Sequence, residues 1–357
     1  MSAARSCIWL AFGTLLLACG SASGRASAPV AVGSAKPAPT PSGAVELTAA
    51  QYTTACHAAN DLKACFQLGV MFETGHGVEK DLERAAGMYA QACDSGELEG
   101  CVSLAILLQR SSRHGDRGRA EYLFSRACDK GIAKACFRLG GLLFQEAGKD
   151  RVDPRVASLY IEACDAGVAG ACNNLGFVFA AGYGVTKDEA RAAALYGKAC
   201  DLDPASGCSN LGSLFADGRG VPKDEARAAA LYSKACEARD AFGCDGLGRL
   251  LATGRGVPKD ESRAAAEYSR ACDNEYPPGC AHLGTLLATG RGVDKDERRA
   301  AALFDSACNW GHGGACYALG LALRNGLGVS KDQAAAASAF AHGCALDHES
   351  SCAEIPH

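Results

Sequence analysis

From Cys172 the chain reads CNNLGFVFAAGYGVTKDEARAAALYGKAC, and the same frame returns at Cys208, Cys244 and Cys280, thirty-six residues apart each time. A period of that length is one supersecondary unit that cannot bury its own apolar face alone. A chain built from such units must stack them in a line, and each unit's core is completed by its neighbours.

Within one unit, Cys172, Leu175, Gly176 and Phe179 fall at i, i+3, i+4 and i+7. This is the apolar stripe of an amphipathic helix, here termed A. Gly182 and Gly184 break the period and mark a turn. Asp188 stands where an N-cap accepts from the free amides of a new helix, B, which carries Ala192 to Ala194, Leu195, Tyr196, Ala199 and Cys200. Gly176 and the alanines let the two helices approach closely, with Phe179 and Tyr196 filling the space between them. The unit is an antiparallel helical hairpin.

The first cysteines of the A helices, Cys65, Cys101, Cys136, Cys172, Cys208, Cys244, Cys280 and Cys316, are spaced by thirty-five or thirty-six residues. The expected fold is all-α: an α/α solenoid of about eight hairpins. A short helix from about Leu47 to Ala58 precedes and caps them. The second and third units carry QRSSRHGDRG and QEAGKDRVD in place of the glycine turn, so their turns are expected to differ while Leu104, Leu139, Phe124 and Tyr160 keep the hairpins. After Cys352 too little chain remains for a further hairpin helix.

Cysteine is the sharpest compositional feature: of 20 in the chain, eighteen lie in the repeats. Cys93/Cys101, Cys128/Cys136, Cys164/Cys172, Cys200/Cys208, Cys236/Cys244, Cys272/Cys280, Cys308/Cys316 and Cys344/Cys352 are eight residues apart, and Cys56/Cys65 nine. Regular even spacing behind an export signal reads as a disulfide framework. A cysteine ending helix B, such as Cys200, faces two candidate partners, Cys208 of the next A helix or Cys172 of its own hairpin. Pairing across the inter-repeat turns uses all eighteen, whereas pairing within hairpins strands Cys56 and Cys352. The turn-spanning set is therefore expected.

Residues 1–18 form a signal peptide, with Arg5 ahead of an apolar run too short to span a membrane as a retained helix. Leu16-Leu17-Ala18-Cys19 resembles the bacterial lipobox, which makes Cys19 the expected lipidation site and the membrane anchor. Gly20 after it fits an outer-membrane destination by the same resemblance. Residues 19–45 are rich in Ser, Ala, Gly and Pro and read as a disordered tether. The repeat solenoid occupies 46–357. The expected location is the periplasm or the outer membrane, including surface-exposed or secreted placements.

No Ser-x-x-Lys, Ser-Asp-Asn or Lys-Thr-Gly occurs, so the parts by which a serine β-lactamase activates its nucleophile are missing. The eight histidines include no His-x-His pair and no His-Glu-x-x-His, and the glycine turns follow no strand. His282 and His312 read as solvated or capping side chains. No catalytic residue, cofactor or metal is expected. A formal charge of −4 with both signs mixed through every repeat argues against a nucleic-acid surface. Arg219, Arg255 and Arg291 with Lys223, Lys259 and Lys295 would stack beside Asp224, Asp260 and Asp296, which reads as an alternating, solvated edge.

The recurring pattern AC-x-x-LG-x-L-x-x-GxGV-x-KD-x-x-x-AA-x-x-Y-x-x-AC resembles the Sel1-like repeat family over roughly residues 55 to 352. The cysteine pairs make the chain similar to the Helicobacter cysteine-rich proteins within it. The resemblance implies a right-handed solenoid related to tetratricopeptide repeats that serves as a scaffold for protein partners. Some cysteine-rich members are described as penicillin-binding with weak β-lactamase activity, so a β-lactam-binding or hydrolysing protein is the alternative. If Leu175 and Gly176 face the core as in tetratricopeptide repeats, two rows face the groove. One holds Phe66, Phe137, Asn173, Ser209, Asp245 and Tyr317. The other holds Val70, Gly141, Phe177, Ser213, Arg249, Thr285 and Leu321. These are the expected contacts for a protein or peptide partner.

Overall fold

The computed structural model describes residues 47–58, 61–111, 113, 115–146 and 152–355. The expected signal peptide, Cys19 and the tether lie outside these residues. Among the described residues there are eighteen helices and no strand, as the repeat requires. The chain divides into two compact units, Met1–Ile132 and Ala133–His357.

In the first unit, α1 (Ala49–Ala58) precedes the hairpins α2 (Leu62–Thr74) with α3 (Leu82–Asp94) and α4 (Leu98–Arg110) with α5 (Asp116–Cys128). Bridges Cys56–Cys65 and Cys93–Cys101 join α1 to α2 and α3 to α4.

The second unit holds six hairpins. They are α6 (Ala133–Glu146) with α7 (Arg155–Asp165), α8 (Ala169–Ala181) with α9 (Glu189–Leu202), α10 (Pro204–Asp217) with α11 (Glu225–Glu237), α12 (Ala241–Thr253) with α13 (Glu261–Asp273), α14 (Pro277–Thr289) with α15 (Glu297–Asn309), and α16 (Gly313–Asn325) with α17 (Gln333–Ala345). The single-turn helix α18 (Glu349–Cys352) follows. Each of six bridges, from Cys164–Cys172 to Cys344–Cys352, ties the end of a B helix to the next A helix. Cys128 and Cys136 are half-cystines as well.

Local chemistry explains the hairpin. Asp188, Asp224, Asp260 and Asp296 sit in extended conformations and accept from the amides of Arg191, Arg227, Arg263 and Arg299 at 2.8 to 2.9 Å, starting each B helix. Every A helix except α4, which carries Ala105 there, sets a glycine against a ring from its own B helix. A Cβ on Gly176 would lie 2.8 Å from the Tyr196 ring, and one on Gly248 would lie 2.7 Å from Tyr268. These rings are buried and form the core between the layers. The joint between hairpins uses the second turn glycine: Gly256, at φ +69°, lies against the backbone of Glu225 one repeat back, where a side chain has no room. Arg255 and Arg291 from the same turns bond Glu225 and Glu261 of the preceding repeats at 2.7 and 2.6 Å. The alternating edge therefore links consecutive repeats, with glutamate rather than the capping aspartates as the partner.

Candidate functional site

In the second unit the A helices of successive repeats touch directly, α8 with α10, α10 with α12, α12 with α14, and α16 with α18. Among the B helices, α15 and α17 are the pair that touch comparably. The A helices are thus the inner layer, and their faces away from the B helices form its wall.

The first expected groove row is closed at three of its six positions. Asn173, Ser209 and Asp245 are buried, because each bonds a residue of the next repeat. Asn173 Oδ1 accepts from Asn210 Nδ2 at 2.8 Å. Ser209 hydrogen-bonds Asp240, whose carboxyl burial pushes above the usual range and which caps α12 through the amides of Phe242 and Gly243. Asp245, only 2% exposed, accepts from His282 Nδ1 at 2.7 Å. His282 therefore serves a buried carboxylate and is not a helix cap, while its side chain stays partly exposed to water. The aromatic members of the row pack half-buried inside their own repeats: Phe66 lies 5.7 Å from Tyr89, Phe137 6.2 Å from Tyr160, and Tyr317 5.8 Å from Phe340. Asn173, Ser209 and Asp245 thus form joints between repeats and not wall, whereas Phe66, Phe137 and Tyr317 remain half-buried within their own repeats.

The second row stays accessible except at Gly141, which is buried. Phe177 and Ser213 are half-buried, and Arg249 and Thr285 exposed. Thr285 spends its hydroxyl on the Ala281 carbonyl at 2.9 Å. The Arg249 side chain makes no hydrogen bond or ion pair among the described residues and lies within electrostatic reach of Tyr232, Tyr268 and Tyr276. Burial raises all three phenols, keeping them protonated near neutral pH.

Sequence reasoning missed Phe144 and Tyr183. With Phe177 they form a half-buried aromatic cluster, with centroid separations of 6.1, 5.8 and 5.5 Å. Tyr183 was findable as the residue standing where later turns carry arginine.

At the far end, His312 Nδ1 accepts from the Ala315 amide at 3.0 Å and caps α16, while His348 caps α18. Burial lowers the His312 pKa, with His282 and His348 acting in the same direction and Asp245 opposing them.

Cys236 and Cys244 gather with Glu267, and Cys308 and Cys316 with His342, close enough to resemble ligand sets. Their sulfurs are joined in disulfides and offer a metal no thiolate. No helix among the described residues is long and apolar enough to cross a membrane.

The Sel1 repeat model matches residues 62–97, 100–132, 133–168, 169–204, 205–240, 241–276, 277–312 and 314–338. No curated protein sequence matches the chain. Among solved structures, a protective antigen of uropathogenic Escherichia coli with a Sel1-like repeat fold is 22% identical, with a TM-score of 0.69 over 87% of this chain and 67% of that one. A Sel1 repeat protein of Oxalobacter formigenes is 20% identical, with a TM-score of 0.65 over 89% and 96%. Helicobacter pylori cysteine rich protein B is 31% identical over 37% of this chain and 96% of its own, with a TM-score of 0.32. With eight copies of the repeat along its length, the chain belongs to the Sel1 repeat family.

Proposed function

We propose that this chain is an exported, lipid-anchored scaffold of the cell envelope that binds a protein or peptide partner along the A-helix wall of residues 133–357. The observation that carries the reading is the second groove row: constant joints and cores hold side chains of different chemistry, Phe177, Ser213, Arg249 and Thr285, at one register of successive A helices. An extended surface of that kind suits a polypeptide, whereas a hydrolase concentrates convergent polar groups in one pocket. The disulfides support placement in an oxidising compartment, and Cys19 supplies the anchor.

A photocrosslinking amino acid placed at Arg249 or Thr285 is expected to trap a partner in the native envelope, while one at Ile161, exposed on a B helix, traps little. Equal yields at all three positions would remove the wall as the binding surface. Cys19→Ala is expected to abolish fatty-acid labelling and release the chain from the membrane fraction. Persistent labelling contradicts the anchor.

A further inference from the structure

Two features of the wall stand two repeats apart at the same register. On α8, Phe177 meets Phe144 and Tyr183 in the aromatic cluster described above. Tyr183 occupies the turn position from which Arg255 and Arg291 reach back to glutamates, and its ring folds onto Phe177 instead. Half-exposed rings that are held by one another give a rigid apolar seat with little side-chain entropy left to lose on binding.

On α12, Arg249 is an exposed cation with no ion pair among the described residues. The acids that act on the same tyrosines are already engaged: Asp245 with His282, Asp240 with the start of α12, and Asp217 with Arg219 at 3.4 Å. The hydroxyls of Tyr268 and Tyr276 remain protonated donors beside it. An exposed guanidinium within electrostatic reach of phenolic O–H groups, and with no ion pair among the described residues, is complementary to a carboxylate brought by a partner.

Adjacent packed helices lie roughly 10 Å apart, so the two features are on the order of 20 Å from one another. An extended peptide at about 3.3 Å per residue covers that span in about six residues. We propose that the wall holds an extended segment of a partner protein that seats an apolar side chain among Phe144, Phe177 and Tyr183 and presents an aspartate or glutamate side chain, about six residues away, to Arg249. The assignment rests on the wall reading above and names the partner's chemistry.

The test uses the purified, oxidised chain and fluorescein-labelled, C-terminally amidated peptides carrying one Phe and one Glu about six positions apart in a Gly/Ser background, read by anisotropy. The Glu peptide is expected to bind about tenfold tighter than its Gln counterpart and tighter still than the Lys one, with the advantage shrinking as salt rises. Arg249→Glu is expected to turn the preference toward Lys, Arg249→Gln to erase it, and Phe177→Ala to weaken every peptide regardless of charge. Equal binding of the Glu and Lys peptides, indifference to Arg249→Glu, or no binding of any peptide would overturn the proposal. A partner crosslinked in the envelope at the Arg249 position, together with that indifference, would overturn the peptide assignment while leaving the wall reading standing.

Discussion

At the scale of single residues, the fold depends on a few contacts that leave no room for substitution. Gly176 is the clearest: its missing side chain is the space into which the Tyr196 ring fits. Gly176→Ala is expected to lower stability by about 1–3 kcal/mol as the ring is forced aside. Combined with Tyr196→Val, it should cost less than the sum of the two single changes, because the smaller side chain vacates the contested space. Additive costs in a double-mutant cycle of thermal unfolding would contradict the contact. His312 makes a second, pH-dependent prediction. Its folded pKa lies below the ordinary imidazole value, and the unfolded chain therefore takes up the proton first. The stability it confers is present above about pH 6.5 and is lost as pH falls through that value toward the folded pKa. His312→Asn keeps an acceptor at the cap without a titrating ring. The variant should lose less thermal stability than the parent between pH 7.5 and 5.5, and an equal loss would show that the cap is not the titrating contact.

At the scale of the element, much was legible because each helix boundary has a local chemical cause. Asp188 and its equivalents announce the B helices, and the structure places their carboxylates on the expected amides. Asp260→Ala should raise the hydrogen-exchange rate of the Arg263 amide about fivefold, corresponding to a cap of about 1 kcal/mol; an unchanged rate would show that the cap bond contributes nothing. What the periodicity could not reveal is how close one A helix sits to the next. That spacing decides whether the residue after each cysteine faces solvent or a neighbour, and it turned Asn173, Ser209 and Asp245 from wall into joint. The pairing of His282 with Asp245 was hidden for the same reason, since the two are thirty-seven residues apart. The row containing Phe177 and Arg249, four residues further along the same helices, was better legible because that position keeps exposure at Arg249 and Thr285 and partial exposure at Phe177 and Ser213.

At the scale of the whole molecule, a repeat protein draws its tertiary contacts chiefly from adjacent hairpins, so stability depends on what happens at each joint. The bridges act there. Each closes a loop with a sequence separation of 8 or 9, which restricts the unfolded chain by about 2.5 kcal/mol on the loop-entropy estimate. In a stack of repeats, clamps placed between hairpins hold the joints on which the array depends, and they persist in an oxidising compartment. The measurement that tests this most directly is a non-reducing peptide map of the protein isolated from its native envelope. It should yield Cys200 joined to Cys208 and no free thiol between Cys56 and Cys352, whereas a fragment joining Cys172 to Cys200, or free thiols in the repeats, would contradict the clamped scaffold.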